Sequence, residues 1–450
     1  MTRDPLNWRR ALVYGLGLSG RAATRLLSRR GIEVVAVDDR VADELDLGEL
    51  TGLAGVDTRL GGGLDALPSG VDGVVVSPGV PPARPLLAAA TASGLPILAE
   101  VELAFRYLDG PVLAITGSNG KSTTTELTGA LLEASGHRVE VCGNIGRPLA
   151  DCVEGPPGRT FVTELSSFQL EAIDRFHPRA AALLNLSADH LDRHLTFEVY
   201  AESKRRIFRR QTAGDVAVLN ADDPLVAATV VEARRRFFSS TRPVEDGCFV
   251  DGDRVVESIP GQPSVELFER SDLELQGPHN LENAMAAALL ARAVGAPIEG
   301  VRRGMASFAG LPHRLQLVRE RAEVRWFDDS KGTNPAATVR SLEGFRDGSV
   351  HLILGGRSKG SDPAQLADAV RRKVRRLYLI GEAATEFDAA LGDLVPSVRC
   401  GELARAVAMA VEAAAAGESV VLSPACASFD QFVDYRDRGL TFQRLVRALD

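Results

Sequence analysis

Short runs rich in Val, Leu and Ile alternate along this chain with helical patterns rich in Ala, Leu and Arg. That rhythm is the signature of parallel α/β layers, in which each strand reaches its neighbour through a helix packed on the sheet. Three blocks follow one another. The first holds ALVYGLGLSG, EVVAVDD, GVVVSPG and LPILAE, with turn-rich stretches such as GGGLDALPSG between strands. A second opens at PVLAITGSNGKST, includes TFVTELSS, AAALLNLS and DVAVLNADD, and ends in the helical segment LENAMAAALLARAVG. The third follows GLPHR and holds RWFDDS, VHLILGGRS, RLYLIGE and SVVLSPACAS. The expectation is an α/β chain of three domains: Rossmann-like over 1–99, a P-loop ATPase-type α/β centre over 100–310, and a second Rossmann-like α/β domain over 311–450. A chain of 450 residues is long enough for each to bury its own core.

Composition narrows the function classes. Hydrophobic content of 45% with 25% charged residues is ordinary for a globular protein, and no apolar run reaches membrane-spanning length. No membrane insertion is expected. The N-terminus passes from polar residues straight into a short strand without a signal-peptide core, which reads as cytoplasmic. The five scattered cysteines form no CxxC pair, fitting reduced thiols better than disulfides or zinc. A net charge of −8 without a long basic tract argues against nucleic acid as a partner, and a monomer is expected.

Lysine is nearly absent. Of 52 basic residues only Lys121, Lys204, Lys331, Lys359 and Lys373 are lysine. Codon bias explains the scarcity but not why four of the five stand in Gly/Ser/Asp-rich segments, where a compact ammonium can touch one phosphate oxygen or react as an amine. Lys373, in RRKVRR, reads as a surface charge. In ITGSNGKSTTTEL a strand feeds a glycine loop and then a helix, so backbone amides, the helix N-terminus and Lys121 converge on an anion. A nucleotide phosphate tail fits, with Ser122 or Thr123 supplying a hydroxyl to Mg²⁺. The match to GxxxxGK[ST] is incomplete, because Ile115 takes the place of the first glycine and the glycine stands at Gly117.

Two further segments are placed to hold metal. Glu164 ends TFVTE, and Asp189 with His190 follows AALLNLS, so both should emerge at the same sheet edge as the loop. One carboxylate with hydroxyls and phosphates suffices for Mg²⁺. His190 and His194 are spaced i, i+4, but the Glu of HExxH is missing, so zinc is disfavoured and His194 reads as a satisfied polar residue. In the first block, GLGLSG (Gly15, Gly17, Gly20) with Asp38 satisfies the dinucleotide fingerprint. Alone it would suggest an NAD-dependent oxidoreductase; beside a phosphate loop it suits a second phosphorylated ligand such as a nucleotide sugar.

The motifs together resemble the ATP-dependent Mur ligases of peptidoglycan synthesis. The resemblance is carried by GLGLSG, SPG (Ser77 to Gly79), TGSNGKST, GNIG, TELSSFQLE, NLSADHLDRH, AESKRRIF, GPHNLENAMAA, GLPHR, DDSKGTNPAAT, LGGRSKGSD and SPACASFDQF. SSFQLE, DSKGTN and PACASFDQF point to the D-glutamate-adding branch. The resemblance implies that Leu18, Ser19 and Asp38 bind UDP, with Asn144 and Gln169 reaching the rest of that substrate. It implies ATP phosphates on Ser118, Asn119, Gly120, Lys121, Ser122, Thr123 and Thr124, nucleotide contacts from Asn283 and Arg314, and Asp329 and Lys331 from the third domain. Ser122, Glu164, His190 and a modified Lys204 resemble the metal set. Thr333, Lys359, Ser428, Phe429 and Tyr435 would hold the amino acid. Asp39 departs from the small hydroxyl residue expected beside uracil, and Tyr435 stands where Phe is expected.

The implied partners are UDP-N-acetylmuramoyl-L-alanine and D-glutamate, and the implied cofactors are ATP and Mg²⁺. The implied reaction phosphorylates the alanyl carboxylate and lets the glutamate amine attack the acyl phosphate. Catalysis would rest on positioning and on charge neutralisation by Lys121 and Lys331, with His190 and Lys204 at the metal. Lys204 is expected to be carbamylated, because a neutral amine can add CO₂ to give two hard oxygens. An NAD enzyme would ignore ATP, and a nucleotide-gated binding module would bind ATP without amino-acid-dependent phosphate release.

Overall fold

The computed structural model describes residues 5–62, 66–273, 277–358, 360 and 362–449. In the first sheet the fully parallel order is Val56–Leu60, Glu33–Asp38, Arg10–Tyr14, Gly73–Val76, Ile97–Ala99. Arg10–Tyr14 is central, flanked on both sides and covered by helix Leu18–Arg29, so Ala11, Leu12 and Val13 are wholly buried. Strand order reverses at this strand, which opens a crevice at its C-terminal end, where the glycine loop lies.

The second sheet has nine strands. Val112–Thr116 lies between Arg159–Glu164 and Ala180–Leu183, all parallel. Their C-terminal ends share one edge, so the residues after Thr116, Glu164 and Leu183 emerge together. Arg138–Gly143 closes one side; Val216–Asn220 and Arg234–Ser239 extend the other. Beyond them Gly247–Asp251, Arg254–Ser258 and Val265–Glu269 form an antiparallel ribbon. That ribbon and strands Arg138–Gly143 and Arg234–Ser239 are additions to the sequence reading. They mix charged with apolar residues (RRRFFS, VELFE) instead of forming the continuous apolar runs of inner strands.

The third sheet runs Gln316–Arg321, Val324–Asp328, Ser419–Leu422, Val350–Gly355, Val374–Ile380, Ser397–Gly401. Only its first pair is antiparallel. The edge strands Gln316–Arg321 and Ser397–Gly401 are polar and half-exposed, which hides them from a search for apolar runs. All five cysteines are buried free thiols, and no helix among the described residues is long and apolar enough to cross a membrane.

The chain divides into two compact units, Met1–Asp272 with Glu282–Phe308, and Leu273–Leu281 with Ala309–Asp450. Within the first unit the first two sheets share one apolar core that runs from Ala11 and Leu26 through Val101 and Leu149 to Phe161 and Leu219. Polar staples reinforce it. Arg25 pairs with both carboxylate oxygens of Asp151 through Nη2 at 2.8 and 2.7 Å, and the Ala99 amide donates to the Ala172 carbonyl at 2.8 Å.

Glu100, which opens helix Glu100–Phe105, is 1% exposed. Its Oε1 accepts from the Ala150 amide, and its Oε2 has no hydrogen-bond partner among the described residues. Burial, aided by the charge of Asp151 and opposed by that amide, raises its carboxyl to about 8. The native state therefore favours the protonated acid. This contribution to stability is complete below the ordinary carboxyl range and is lost as pH rises through about 8. Glu100→Gln, a neutral mimic, should flatten the fall in melting temperature between pH 6 and 9; parallel curves for the two proteins would rule this out.

Candidate active site

The phosphate loop is held from below. Strand Val112–Thr116 is fully buried and ends in the loop 117–120, after which helix Lys121–Ala134 begins. Gly120 caps the helix at φ 83 without a side-chain cap, and the first turn contains no acid. The first-turn amides and the positive end of the helix dipole are thus presented to an anion. Asn185 clamps the loop: its carbonyl accepts from the Ser118 amide at 3.0 Å, its Oδ1 from the Asn119 amide at 2.8 Å, and its Nδ2 donates to the Asn119 carbonyl at 3.1 Å. The Ser118 hydroxyl bonds to the Tyr200 hydroxyl at 2.9 Å and to the Ser187 carbonyl at 3.0 Å, so its side chain shapes the loop. Lys121 Nζ curls back onto the Gly117 and Ser118 carbonyls at 2.8 and 2.9 Å. Ser122 and Thr123 are buried, and Thr124 Oγ1 donates to Asn283 Oδ1 at 3.4 Å.

Lys204 lies beneath the same loop. It stands on helix Phe197–Arg205, is 2% exposed, and donates to the Gly117 carbonyl at 2.9 Å, with Nζ 4.8 Å from the centre of the Tyr200 ring. Burial first, then the charge of Lys121, drive its amine well below the ordinary lysine value; Asp189 and Glu164 pull the other way and lose. Glu164, at the end of its strand, is buried. Its Oε1 accepts from Asn144 Nδ2 at 2.7 Å, while its Oε2 is buried with no partner among the described residues. A buried, unpartnered carboxylate oxygen fits a hard cation. Among the described residues no three His, Cys, Asp or Glu gather as a metal cage, and that donor set suits Mg²⁺, which keeps its waters, better than zinc.

His190 adopts a left-handed backbone (φ 53), is half-exposed, and sets its ring edge-on to Phe168 at 4.8 Å. His194 is buried, with Nε2 3.0 Å from Ser167 Oγ and Nδ1 3.4 Å from Glu171 Oε1, a satisfied core histidine.

At the first sheet, Leu18 is exposed and Ser19 half-buried in the first turn of a helix that also lacks a side-chain cap. A Cβ at Gly20 would stand 1.7 Å from the Gly15 carbonyl oxygen, so no other residue lets helix and loop approach this closely. Asp38 is occupied within the protein. It accepts from the Leu16 amide at 2.6 Å and from Arg40 Nε and Nη2 at 3.0 and 2.8 Å. Burial opposes its ionisation, but the Arg40 hydrogen bonds, the Leu16 amide and the Arg40 charge outweigh it and hold the carboxyl below its ordinary value. Asp39 accepts from Tyr14 Oη at 2.9 Å and pairs with Arg84 at 2.7 Å. Asn144 is exposed beside Glu164, and buried Gln169 forms a capping box with Ser166.

The remaining sites belong to the other compact unit. Asp329 is buried, and burial lifts its carboxyl to about 6 against the hydroxyls of Ser341 and Ser423, each at 2.6 Å, and the charge of Arg314. Lys331 sets Nζ 5.3 Å from the Tyr435 ring centre, and the Thr333 amide donates to its carbonyl at 2.9 Å. Ser428 is buried and Phe429 is 63% exposed. Lys359 lies outside the described residues.

Three organising residues escaped the sequence reading: Asn185, Tyr200 and Arg438. Wholly buried Arg438 bonds the Ser330 carbonyl and Oγ and the Cys426 and Ala427 carbonyls, tying the segment of Lys331 to that of Ser428. For Asn185 the only signal was a polar residue closing the apolar run that holds the strand Ala180–Leu183.

Gly120 offers a direct test of the loop. A Cβ there would meet Asn283 Oδ1 at 2.2 Å on a backbone at φ +83. Gly120→Ala should weaken ATP at least about tenfold, roughly 1.4 kcal/mol; unchanged affinity by calorimetric titration would remove the loop from nucleotide binding.

The chain is similar to known proteins along nearly its whole length. Residues 9–99 match the Mur ligase MurD-like N-terminal domain, 115–291 the Mur ligase middle domain, and 313–426 the Mur ligase glutamate ligase domain. The chain is 43% identical to UDP-N-acetylmuramoylalanine–D-glutamate ligase of Syntrophus aciditrophicus, over 98% of each protein. It is 45% identical to the protein of the same name from Anaeromyxobacter dehalogenans, over 99% of each. Among solved structures, UDP-N-acetylmuramate-alanine ligase of Thermotoga maritima shares the fold at a TM-score of 0.61 and 17% identity, covering 98% of this chain and 99% of that one. A pseudomurein peptide ligase type C from Methanothermus fervidus does so at 0.61 and 19%, covering 98% and 100%. With three domain matches in order and near-complete coverage by relatives of this identity, the chain belongs to the Mur ligase family.

Proposed function

We propose that this chain is an ATP-dependent ligase that joins D-glutamate to UDP-N-acetylmuramoyl-L-alanine in the cytoplasmic synthesis of peptidoglycan precursors. The observation that carries the reading is one sheet edge bearing a clamped phosphate loop, a buried carboxylate with an unpartnered oxygen at Glu164, and the buried amine of Lys204. Relatives named for this reaction, at 42–45% identity over nearly their whole length, supply the substrates.

An oxygen of the alanyl carboxylate attacks the γ-phosphorus of ATP, and ADP departs. The glutamate amine then attacks the acyl carbon, the C–O bond to phosphate breaks, and the amine proton is lost to solvent. The loop amides and Lys121 hold the phosphates, and the charges of Lys121 and Lys331 offset the negative charge on the transferring group. Mg²⁺ would be held by Ser122, Glu164, His190 and a carbamylated Lys204, and would supply further charge neutralisation. Asn283, Arg314 and Asp329 would complete the nucleotide site. Leu18, Ser19, Asp38, Asn144 and Gln169 would bind the UDP substrate, with Asp38 acting through the loop it shapes. Thr333, Lys359, Ser428, Phe429 and Tyr435 would bind the amino acid. We assign these roles to domains 1–99, 100–310 and 311–450 of a monomer.

Phosphate release measured with each substrate withheld in turn tests the reaction. It should require all three, and release without D-glutamate would overturn the assignment. The lowered amine value at Lys204 supports carbamylation, in which the amine nitrogen bonds to CO₂ carbon and a proton is released. Lys204→Ala should lose most activity and regain part of it with added acetate. Intact ¹³C-bicarbonate-labelled protein should show a carbamate carbon resonance that this variant lacks; a wild type without that resonance would exclude the modification.

A further inference from the structure

Arg193 makes more contacts across elements than any predicted role requires. It stands on the short helix Leu191–His194, with its side chain only 14% exposed. Nη1 donates to the carbonyls of Pro78 and Val80 at 2.6 and 3.1 Å, on the loop that follows the strand Gly73–Val76. Nη2 and Nε donate to the two carboxylate oxygens of Glu171 at 2.6 and 3.4 Å. The guanidinium plane covers the Phe168 ring, with Cζ 4.3 Å from its centre.

Each of those partners leads to a different part of the site. The loop at Pro78 is anchored to the glycine loop of the first sheet, because Ser77 Oγ donates to the Gly15 carbonyl at 2.6 Å. Phe168 packs on the rings of both His190 and His194. Glu171 also meets His194 Nδ1 and lies two residues from Gln169 on the same helix, Ser167–Glu171. One planar cation thus touches a loop tied to the diphosphate-binding turn and an aromatic ring that sets the attitude of His190.

We propose that Arg193 is a positioning residue that fixes the UDP-linked substrate loop relative to the phosphoryl-transfer centre. This rests on the reading that the first sheet binds the UDP substrate and that phosphoryl transfer occurs at Lys121. It touches no reacting atom and acts through the Pro78–Val80 loop and through Phe168. A guanidinium is suited to the task and an ammonium is not. Only a planar fork can serve two carbonyls and a carboxylate while stacking on a ring. Misplacement of a bound group by about 1 Å can lower a rate by about a hundredfold, so a small shift of either partner is enough.

Steady-state kinetics of the full chain test this, with wild type first shown to need all three substrates. Should wild type lack that requirement, the proposed reaction fails before the variant is examined. In Arg193→Ala, kcat/KM for the UDP-linked substrate should fall by about ten- to a hundredfold, through both kcat and KM. The KM for ATP should stay within about twofold, because the loop clamps at Asn185 and Tyr200 are untouched. Millimolar guanidinium chloride, but not sodium chloride, should restore part of the loss. Arg193→Lys, which keeps charge and bulk, should show the same split and covers the case in which the alanine variant does not fold. Wild-type kinetics in Arg193→Lys, or an ATP KM that rises in step with that of the UDP substrate, would reduce Arg193 to a packing residue and overturn the proposal.

Discussion

A single carbonyl oxygen, that of Gly117, accepts hydrogen bonds from two lysines, Lys121 at 2.8 Å and Lys204 at 2.9 Å. Two ammonium groups sharing one acceptor in a partly dry site repel each other by about 3 kcal/mol at an effective dielectric constant near 20. Desolvation decides which gives way. Lys121 is half-buried and can turn to an incoming phosphate, whereas Lys204 is 2% exposed beneath the loop. The proton is therefore held weakly on Lys204, directly below the loop that we propose holds the phosphates. The clamps at Asn185 and Tyr200 keep the Gly117 carbonyl where both lysines reach it.

The phosphate loop was legible because backbone geometry dictates its sequence: a buried strand, a glycine at positive φ and an uncapped helix leave few alternatives. Glu164 and Lys204 were legible by their place after a strand and by the rarity of lysine. Edge strands were not, since Gln316–Arg321 holds only two apolar residues among polar and charged ones and stays half-solvated. Arg438 was invisible for a different reason. In a chain that uses arginine for nearly every cation, a wholly buried arginine serving three carbonyls looks like its surface neighbours until the fold is known.

Asp38 shows how a fingerprint can be satisfied by different physics. In the dinucleotide fingerprint the acid at the end of the second strand contacts a ribose, yet the oxygens of Asp38 are engaged by the Leu16 amide and by Arg40. It holds the glycine loop in shape, and the low proton affinity that Arg40 imposes keeps that grip across the neutral range. The next residue, Asp39, is occupied by Tyr14 and Arg84. Ligand contacts at this end of the sheet would have to compete with ion pairs already made or use their outer faces.

The shared core of the first two sheets changes what a domain boundary means in this chain. A division at residues 99 and 100 falls between a strand and the helix that follows it without a linker, and both feed the same apolar cluster. Glu102, in the first turn of that helix, accepts from the consecutive amides of Asp174, Arg175 and Phe176. The first sheet is thus a lobe grown onto the second rather than a module strung beside it. Transplanting it between relatives would require carrying over the facing wall of the middle sheet, so the two are expected to have been inherited, and to tolerate substitution, as one piece.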